Sequence, residues 1–288
     1  MFTTIISAAE LQELQDSGSP TMVFDCSFDL SQADAGNQMF EASHLPGAVY
    51  AHLDTDLSAK GDRRFTGACS GGRHPLPSRE SFATWLGQKG FGNHMQAIVY
   101  DRQGSSFSGR LWWMLKWLGH ERVAVLDGGL QAWQAAGGAV VPGKSQVQAP
   151  TEFSLSPALL ALVSVETVLS HLGKPHQTVI DARAVPRFRG DIEPLDPVAG
   201  HIPGALNRPF SNNITADGFF KPKEELRHAF EELLGARPPE HIVHHCGSGV
   251  TAIPNILAME IAGLGSTALF AGSWSEWCSD PNRPVAKG

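Results

Sequence analysis

The chain has 288 residues with 42% hydrophobic and 18% charged residues, enough for one large or two medium domains with real cores. Its formal net charge of −7 argues against nucleic acid as the main partner. The N-terminus lacks the basic region of a signal peptide, and no segment has the ~18 apolar residues needed to span a bilayer. We therefore expect a cytoplasmic protein without membrane association.

The cysteines are few for a chain of this length. There are four, at positions 26, 69, 246 and 278, and no pair has CxxC spacing. They are too sparse for a disulfide framework and too scattered for a metal site, so we expect a reducing compartment and no bound metal.

The sequence consists of two copies of one unit. Three pairs of segments show the repeat: 23–27 with 179–183, 44–48 with 201–205, and 98–133 with 242–277. Each half is therefore expected to form one domain of ordinary size. A polar stretch bounded by prolines, residues 142–150, lies between them. We place the first domain at 1–142, a linker at 143–157 and the second domain at 158–288.

The first copy contains an insertion. From His44 to Pro77 the chain runs 33 positions, whereas the equivalent distance from His201 to Pro222 is 21. The extra dozen residues carry Asp62, Arg63, Arg64, Arg73 and His74. From the repeat alone, a solvated surface loop and a loop that reaches the site of the second copy explain the insertion equally well.

Two further features of the first copy bear on its role. Trp112, Trp113 and Trp117 have helical spacing, which favours a place in the core or in a domain interface. The ungapped alignment pairs Cys246 with Arg102, or with Asp101 if the loop shifts by one residue. The first copy therefore lacks a cysteine at this point.

In the second copy, strand-like and helical patterns alternate. Residues 179–181 and 242–244 read as strands, and residues 224–234 and 250–262 have the apolar spacing of helices. Such alternation predicts an α/β fold with a mainly parallel sheet flanked by helices. In sheets of this kind, ligands bind at the carboxyl ends of the strands.

Cys246 lies at such an end, where a glycine-rich loop turns into a helix. Gly247 and Gly249 let the backbone curl and point several N–H groups inward, and the helix N-terminus adds partial positive charge. This setting favours the thiolate, so we predict a nucleophile or a carrier of a negatively charged sulfur species. The flanking glycines disfavour the alternative of an inert buried cysteine. Of His244 and His245, at least one is expected to be buried and hydrogen-bonded.

Several motifs together resemble the tandem-domain rhodanese (sulfurtransferase) family over nearly the whole chain. They are the segments 100–101 with 109–113, 126–129 with Trp133, 200–205, and 272–277. The resemblance implies two rhodanese-like domains, of which the N-terminal one is inactive and the C-terminal one catalytic. It also implies a cysteine that accepts a sulfane sulfur as a persulfide and passes it to a thiol or another nucleophile, without a cofactor. Thioredoxin is one candidate acceptor.

The loop sequence is similar to the 3-mercaptopyruvate branch of the family. The thiosulfate branch carries basic residues just after the cysteine, where this chain has Gly247 and Ser248. The 3-mercaptopyruvate branch is proposed to use a Ser–His–Asp set for proton transfer. By position, Ser248, His74 and Asp62 match that set. The resemblance therefore favours an inserted loop that reaches the site of the second copy over a solvated surface loop.

Substrate binding follows the family pattern with one departure. Arg187 matches the first of two arginines that hold the donor's carboxylate in this branch, but no arginine stands near residues 195–197, where the second would fall. Arg189 or backbone groups would then complete the site. We assign substrate binding to Arg187 and to four loop residues, Gly247, Gly249, Val250 and Thr251.

Three other functions compete with this interpretation. A thiosulfate sulfurtransferase remains the nearest alternative, and a sulfur-carrier module without turnover is a second. A cysteine-based phosphatase would need an arginine six positions after its cysteine, where this chain has Ala252. Cys278 could be a redox partner of Cys246, although we favour an inert role for it.

Overall fold

The computed structural model describes residues 1–60, 65, 67–146 and 148–288. They form two compact units. The first comprises Met1–Gly67, Pro77–Leu159 and Ala216–Phe219, and the second comprises Ala68–Leu76, Leu160–Thr215 and Phe220–Gly288. Part of the inserted segment thus belongs to the second unit. The domain and linker bounds drawn from the sequence stay a prediction.

The first unit is built on a five-stranded parallel sheet in the order β1-β5-β4-β2-β3. Its strands are β1 (Ile5–Ile6), β2 (Thr21–Asp25), β3 (Val49–Tyr50), β4 (Gln96–Tyr100) and β5 (Val123–Leu126). Its helices are α1 (Ala8–Asp16), α2 (Ala35–Ala42), α3 (Arg79–Gln88), α4 (Ser108–Trp117) and α5 (Gly129–Ala135). Every residue of α4 is buried, as the prediction of a core or interface position for its three tryptophans requires.

The second unit repeats this architecture, with a parallel sheet in the order β6-β10-β9-β7-β8. Its strands are β6 (Ala161–Leu162), β7 (Thr178–Asp181), β8 (Leu206–Asn207), β9 (Ile242–His245) and β10 (Ala268–Leu269). Its helices are α6 (Val165–Ser170), α7 (Val185–Arg189), α8 (Lys223–Leu234), α9 (Ile253–Ile261) and α10 (Ser273–Trp277). The predicted α/β class, with two mainly parallel sheets flanked by helices, is confirmed.

The burial of these elements explains their sequences. All residues of β4 and β9 are buried, as expected for central strands of a parallel sheet covered on both faces. Helix α8 buries Leu226, Phe230 and Leu234, whose spacing by four gives one apolar stripe. Among the described residues, no helix combines the length and apolar character required to cross a membrane.

Helix α9 begins three residues later than the predicted start at Val250. Gly249 has φ +72°, a left-handed conformation that a helix cannot continue through, and Pro254 occupies the first turn of the helix. Residues 246–252 therefore remain a loop between β9 and α9. This loop carries most of the predicted site.

The strand register settles which residue of the first unit corresponds to Cys246. Asp25 of β2 pairs with Tyr100, and Asp181 of β7, its repeat equivalent, pairs with His245. Asp101, the residue after Tyr100, is therefore the counterpart of Cys246. The alternative with a one-residue shift is correct, and the ungapped pairing with Arg102 is wrong at this point.

Candidate active site

Cys246 directly follows β9, with its backbone fixed on both sides. Its N–H donates to Oγ of Ser273 at 3.1 Å, and its carbonyl accepts the N–H of Trp274 at 3.0 Å. The residue is 1% exposed. Ser273 has φ +55°, so this contact requires a left-handed residue at the start of α10. The backbone of Cys246 is thus held by two elements, β9 and α10.

The loop itself requires glycine at position 249. A Cβ there would lie 2.1 Å from the carbonyl oxygen of Ala271, which is backbone and cannot move aside. The carbonyl of Gly247 accepts the N–H of Ser275 at 2.9 Å, so the chain also docks on α10 after the cysteine. The predicted substrate-binding residues Gly247, Gly249, Val250 and Thr251 all lie in this loop. Their binding role stays a prediction.

Ser248 and His74 are brought together. Nδ1 of His74 lies 2.7 Å from Oγ of Ser248, and the two residues are only 2% and 7% exposed, respectively. A serine two residues after the cysteine is therefore in direct contact with an imidazole from the inserted segment. Such a pair can accept or deliver a proton at a substrate. Asp62, the third predicted member of the set, lies outside the described residues.

The segment Ala68–Leu76 is anchored on α10. The N–H of Gly71 donates to Oε1 of Glu276 at 3.2 Å, and the N–H of Arg73 donates to Oγ of Ser275 at 3.0 Å. A Cβ at Gly71 would lie 2.4 Å from Glu276 Oε1, so the contact is close. Burial raises the pKa of Glu276 above its ordinary value. These contacts hold His74 in place beside the loop.

Two guanidinium groups lie above Gly247. A Cβ on that glycine would be 3.2 Å from Nη2 of Arg73 and 3.5 Å from Nη1 of Arg187. Asp196 accepts from both, at 2.5 Å from Arg73 and 3.3 Å from Arg187. Glu193 accepts from Arg187 at 2.7 Å. Arg187, which the sequence predicts to bind the donor, lies beside the loop.

Beneath the loop, the end of β9 is buried and polar. His244 and His245 are fully buried, and Nδ1 of His245 lies 3.2 Å from the Cys246 carbonyl, which confirms the expectation of one buried, hydrogen-bonded histidine. Burial, with the charges of His245 and Arg208, lowers the pKa of His244 to about 3. Among the described residues, neither ring nitrogen of His244 has a hydrogen-bond partner. His244 is therefore neutral near neutral pH.

Three parts of the site were missed by sequence reasoning. Ser273 was not singled out, although its repeat counterpart Gly129 has φ +59° and marks a left-handed position. Arg73 was named only as a charged residue of the insertion, and Asp196 only as the place where an arginine is absent. No short-range pattern connects Arg73 with Asp196, because 123 positions separate them. Arg189 lies exposed on α7.

Comparisons with known proteins identify the family of the chain. A family model described as "Rhodanese-like domain" matches residues 7–136 and again residues 164–280. The chain is 45% identical over 268 residues to a Pseudomonas aeruginosa protein named "Probable 3-mercaptopyruvate sulfurtransferase", covering 93% of this chain and 92% of that protein. It is 32% identical over 300 residues to a thiosulfate sulfurtransferase of Cricetulus griseus, covering 100% and 97%.

A solved structure gives the same result. The 3-mercaptopyruvate sulfurtransferase from Leishmania major superimposes with a TM-score of 0.81 at 29% identity, covering 98% of this chain and 76% of that one. The two matches to one family model reproduce the repeat seen in the sequence and in the two sheets. The chain therefore belongs to the rhodanese-like family and is a tandem-domain sulfurtransferase.

Proposed function

We propose that the chain transfers a sulfane sulfur from 3-mercaptopyruvate, through a persulfide on Cys246, to a thiol or another nucleophilic acceptor. The observation that carries the donor assignment is the 2.7 Å contact between His74 and Ser248, two residues beyond the cysteine. In this proposal the catalytic residues are Cys246, Ser248 and His74. Asp62, which matches the aspartate of the family's Ser–His–Asp set by position, is the fourth proposed catalytic residue.

The reaction has two half-reactions. The Cys246 thiolate attacks the donor's sulfur, an S–S bond forms, and the donor's C–S bond breaks. The electron pair of that bond stays on the donor carbon as the enolate of pyruvate, which then takes up a proton. In the second half-reaction an acceptor thiolate attacks the outer sulfur, and Cys246 leaves again as a thiolate.

The need for a proton distinguishes the two donors. An enolate must be protonated on carbon, so a hydroxyl and imidazole pair beside the reacting sulfur has a defined role. Thiosulfate releases sulfite, which keeps the electron pair on its own sulfur and needs no proton delivered to carbon. The Ser248–His74 pair therefore favours mercaptopyruvate.

The loop and Arg187 bind the anionic groups. In this proposal the backbone N–H groups of Gly247, Gly249, Val250 and Thr251 bind the transferred sulfur and stabilise its negative charge, helped by the N-terminus of α9. Arg187 binds the donor's carboxylate, for which its planar guanidinium is suited.

Thiosulfate is the second candidate donor, on a different observation. Two guanidinium groups lie near Gly247, and two positive charges suit a doubly charged donor. A relative named thiosulfate sulfurtransferase matches the whole chain.

Steady-state kinetics with both donors tests the proposal. We expect kcat/KM for 3-mercaptopyruvate to exceed that for thiosulfate by at least ~10-fold, or ~1.4 kcal/mol of transition-state stabilisation. An advantage of the same size for thiosulfate would reassign the donor. A single sulfur transferred per molecule, with no further turnover on excess thiol, would instead identify a carrier module.

The acceptor and location complete the proposal. A thiol such as that of thioredoxin accepts the sulfur, and the protein acts in the cytoplasm, where a reducing environment keeps Cys246 as a thiol. Thioredoxin should raise the turnover rate above that given by an equal concentration of a small dithiol. An equal rate with both would remove thioredoxin as the preferred acceptor.

A further inference from the structure

Two arginines from distant parts of the sequence converge beside Gly247, the residue that follows Cys246. Nη2 of Arg73 lies 3.2 Å, and the two Nη atoms of Arg187 lie 3.5 and 3.6 Å, from the position that a Cβ on Gly247 would occupy. Their side chains are 26% and 18% exposed. Both guanidinium groups therefore lie beside Gly247, the residue after Cys246, and are still open to a solute.

A carboxylate of the chain already lies between them. Oδ1 of Asp196 is 2.5 Å from Nη1 of Arg73, and Oδ2 is 3.3 Å from Nη2 of Arg187. The Asp196 side chain is 3% exposed, and its backbone N–H donates to Glu193. The two oxygens of one carboxylate thus bridge the two cations, which is the geometry that a bound substrate carboxylate would also use.

We infer that Arg73 is a second residue that binds the donor's carboxylate, and that Asp196 occupies the shared arginine site until the donor arrives. This inference rests on the proposed function. Arg187 keeps Glu193 as an ion-pair partner when Asp196 withdraws. In the described part of the chain, the ion-pair partner of Arg73 is Asp196, so Arg73 has the greater need for the incoming carboxylate.

The position of Arg73 fits this role. Its backbone is fixed by the bond to Ser275, and the next residue, His74, contacts Ser248. One short segment therefore supplies a cation for the carboxylate and an imidazole for the proton.

A pair of donors distinguishes carboxylate binding from simple anchoring of the segment. Mercaptoacetone has the thiol and ketone of 3-mercaptopyruvate, with a methyl group in place of the carboxylate. We expect Arg73→Met to lower kcat/KM for 3-mercaptopyruvate at least ~10-fold, as for loss of a charge-assisted hydrogen bond. The same variant should keep kcat/KM for mercaptoacetone within about twofold of the wild-type value. Arg227→Met, on the exposed face of α8, is the control and should change neither donor.

Two results would overturn the inference. An equal loss of kcat/KM for both donors in Arg73→Met would mean that Arg73 only anchors its segment. If Arg189→Met, and not Arg73→Met, lowered kcat/KM for 3-mercaptopyruvate relative to mercaptoacetone, the role would move to Arg189, the exposed arginine of α7.

The role of Asp196 has its own test. Asp196→Asn removes the competing carboxylate, so KM for 3-mercaptopyruvate should fall severalfold, with KM for mercaptoacetone unchanged. A rise in KM for 3-mercaptopyruvate alone would show that Asp196 orients the arginines rather than occupying the donor's position.

Failure of the inference is separable from failure of the proposed function. The wild-type comparison of 3-mercaptopyruvate with thiosulfate tests the donor and involves no arginine variant. Calorimetric binding of pyruvate to Cys246→Ser tests Arg73 without turnover, because pyruvate carries the same carboxylate and ketone. The double variant Cys246→Ser with Arg73→Met should bind pyruvate at least ~10-fold more weakly than Cys246→Ser alone. Unchanged binding would overturn the role of Arg73 whichever donor the enzyme prefers.

Discussion

The loops that follow β4 and β9 occupy equivalent places in the two units but enclose different groups. In the first unit the loop wraps around the carboxylate of Asp101, which accepts four backbone N–H groups. The donors are Gln103 at 2.9 Å, Ser105 at 3.0 Å, Phe107 at 2.8 Å and Ser108 at 2.8 Å. In the second unit the counterpart of this aspartate is Cys246.

This difference shows what the loop is suited to hold. The outer sulfur of a Cys246 persulfide is the same number of bonds from the α carbon as the carboxylate oxygens of Asp101. A loop whose N–H groups bind a negatively charged oxygen in one unit can bind a negatively charged sulfur in the other. The first unit thus fills this position with a carboxylate of its own chain, whereas the second has the cysteine that we propose carries the transferred sulfur.

The two loops also differ at their second residue, which is Arg102 in the first unit and Gly247 in the second. Arg102 binds Asp25 at 2.9 Å and also contacts Ser27 and the carbonyls of Met39 and Ser43. It is turned into the first unit and saturated by these acceptors. In the second unit Gly247 follows Cys246, and the nearby guanidinium groups of Arg73 and Arg187 remain partly exposed.

The largest effect is expected from replacing the residue that distinguishes the loops. Cys246→Ser should lower kcat at least ~10³-fold, because a hydroxyl cannot carry the transferred sulfur. Steady-state assays with 3-mercaptopyruvate measure this loss of kcat. Cys69→Ser is the matched control and should keep near-normal activity. More than a tenth of wild-type activity in Cys246→Ser would contradict the assignment.

The proton-transfer pair should show a smaller, non-additive effect. His74→Ala and Ser248→Ala should each lower kcat ~10²-fold, and the double variant should be little worse, because the two residues act as one unit. His228→Ala, exposed on α8, is the control. Additive losses in the double variant would argue against a shared proton path.

In the first unit the corresponding change should affect stability instead. Asp101→Ala leaves four N–H groups without their acceptor and should lower the free energy of unfolding by ~2–4 kcal/mol. Urea denaturation measures the loss, with the exposed Asp16→Ala as control. The kcat of the folded variant should stay near that of the wild type. A change below ~0.5 kcal/mol would show that the carboxylate does not stabilise its loop.

The acid stability of the second unit should depend on His244, where the first unit has Val99. The folded pKa is about 3 and the ordinary value is 6.5, so between these values the unfolded chain binds a proton that the folded chain does not. Stability should therefore fall as pH drops through this window, by up to ~1.4 kcal/mol per pH unit. His244→Val should flatten the decline. An unchanged pH profile of Tm would exclude His244 as its source.

Much of the fold could be predicted from the sequence because it rests on local patterns. Apolar periodicity placed strands and helices, and the repeat implied two similar sheets. The start of α9 was misplaced because apolar spacing continues through residues 250–252, whereas the left-handed Gly249 and its approach to Ala271 prevent a helix there.

The site was only partly predictable, for a related reason. Cys246 and its loop are contiguous in sequence, so their chemistry could be predicted from the sequence alone. The contact of His74 with Ser248 joins residues 174 positions apart, and its prediction depended on a resemblance and on the length of the insertion. The ion pairs among Arg73, Arg187 and Asp196 depend on how the chain folds back, which no local pattern encodes.

Mass spectrometry of the protein treated with a slight excess of 3-mercaptopyruvate tests the central claim most directly. The account predicts one additional sulfur on the peptide that contains Cys246, none on the other cysteine peptides, and loss of that sulfur when excess thiol is added. Sulfur found on another cysteine, or full turnover without any sulfur on Cys246, would contradict it.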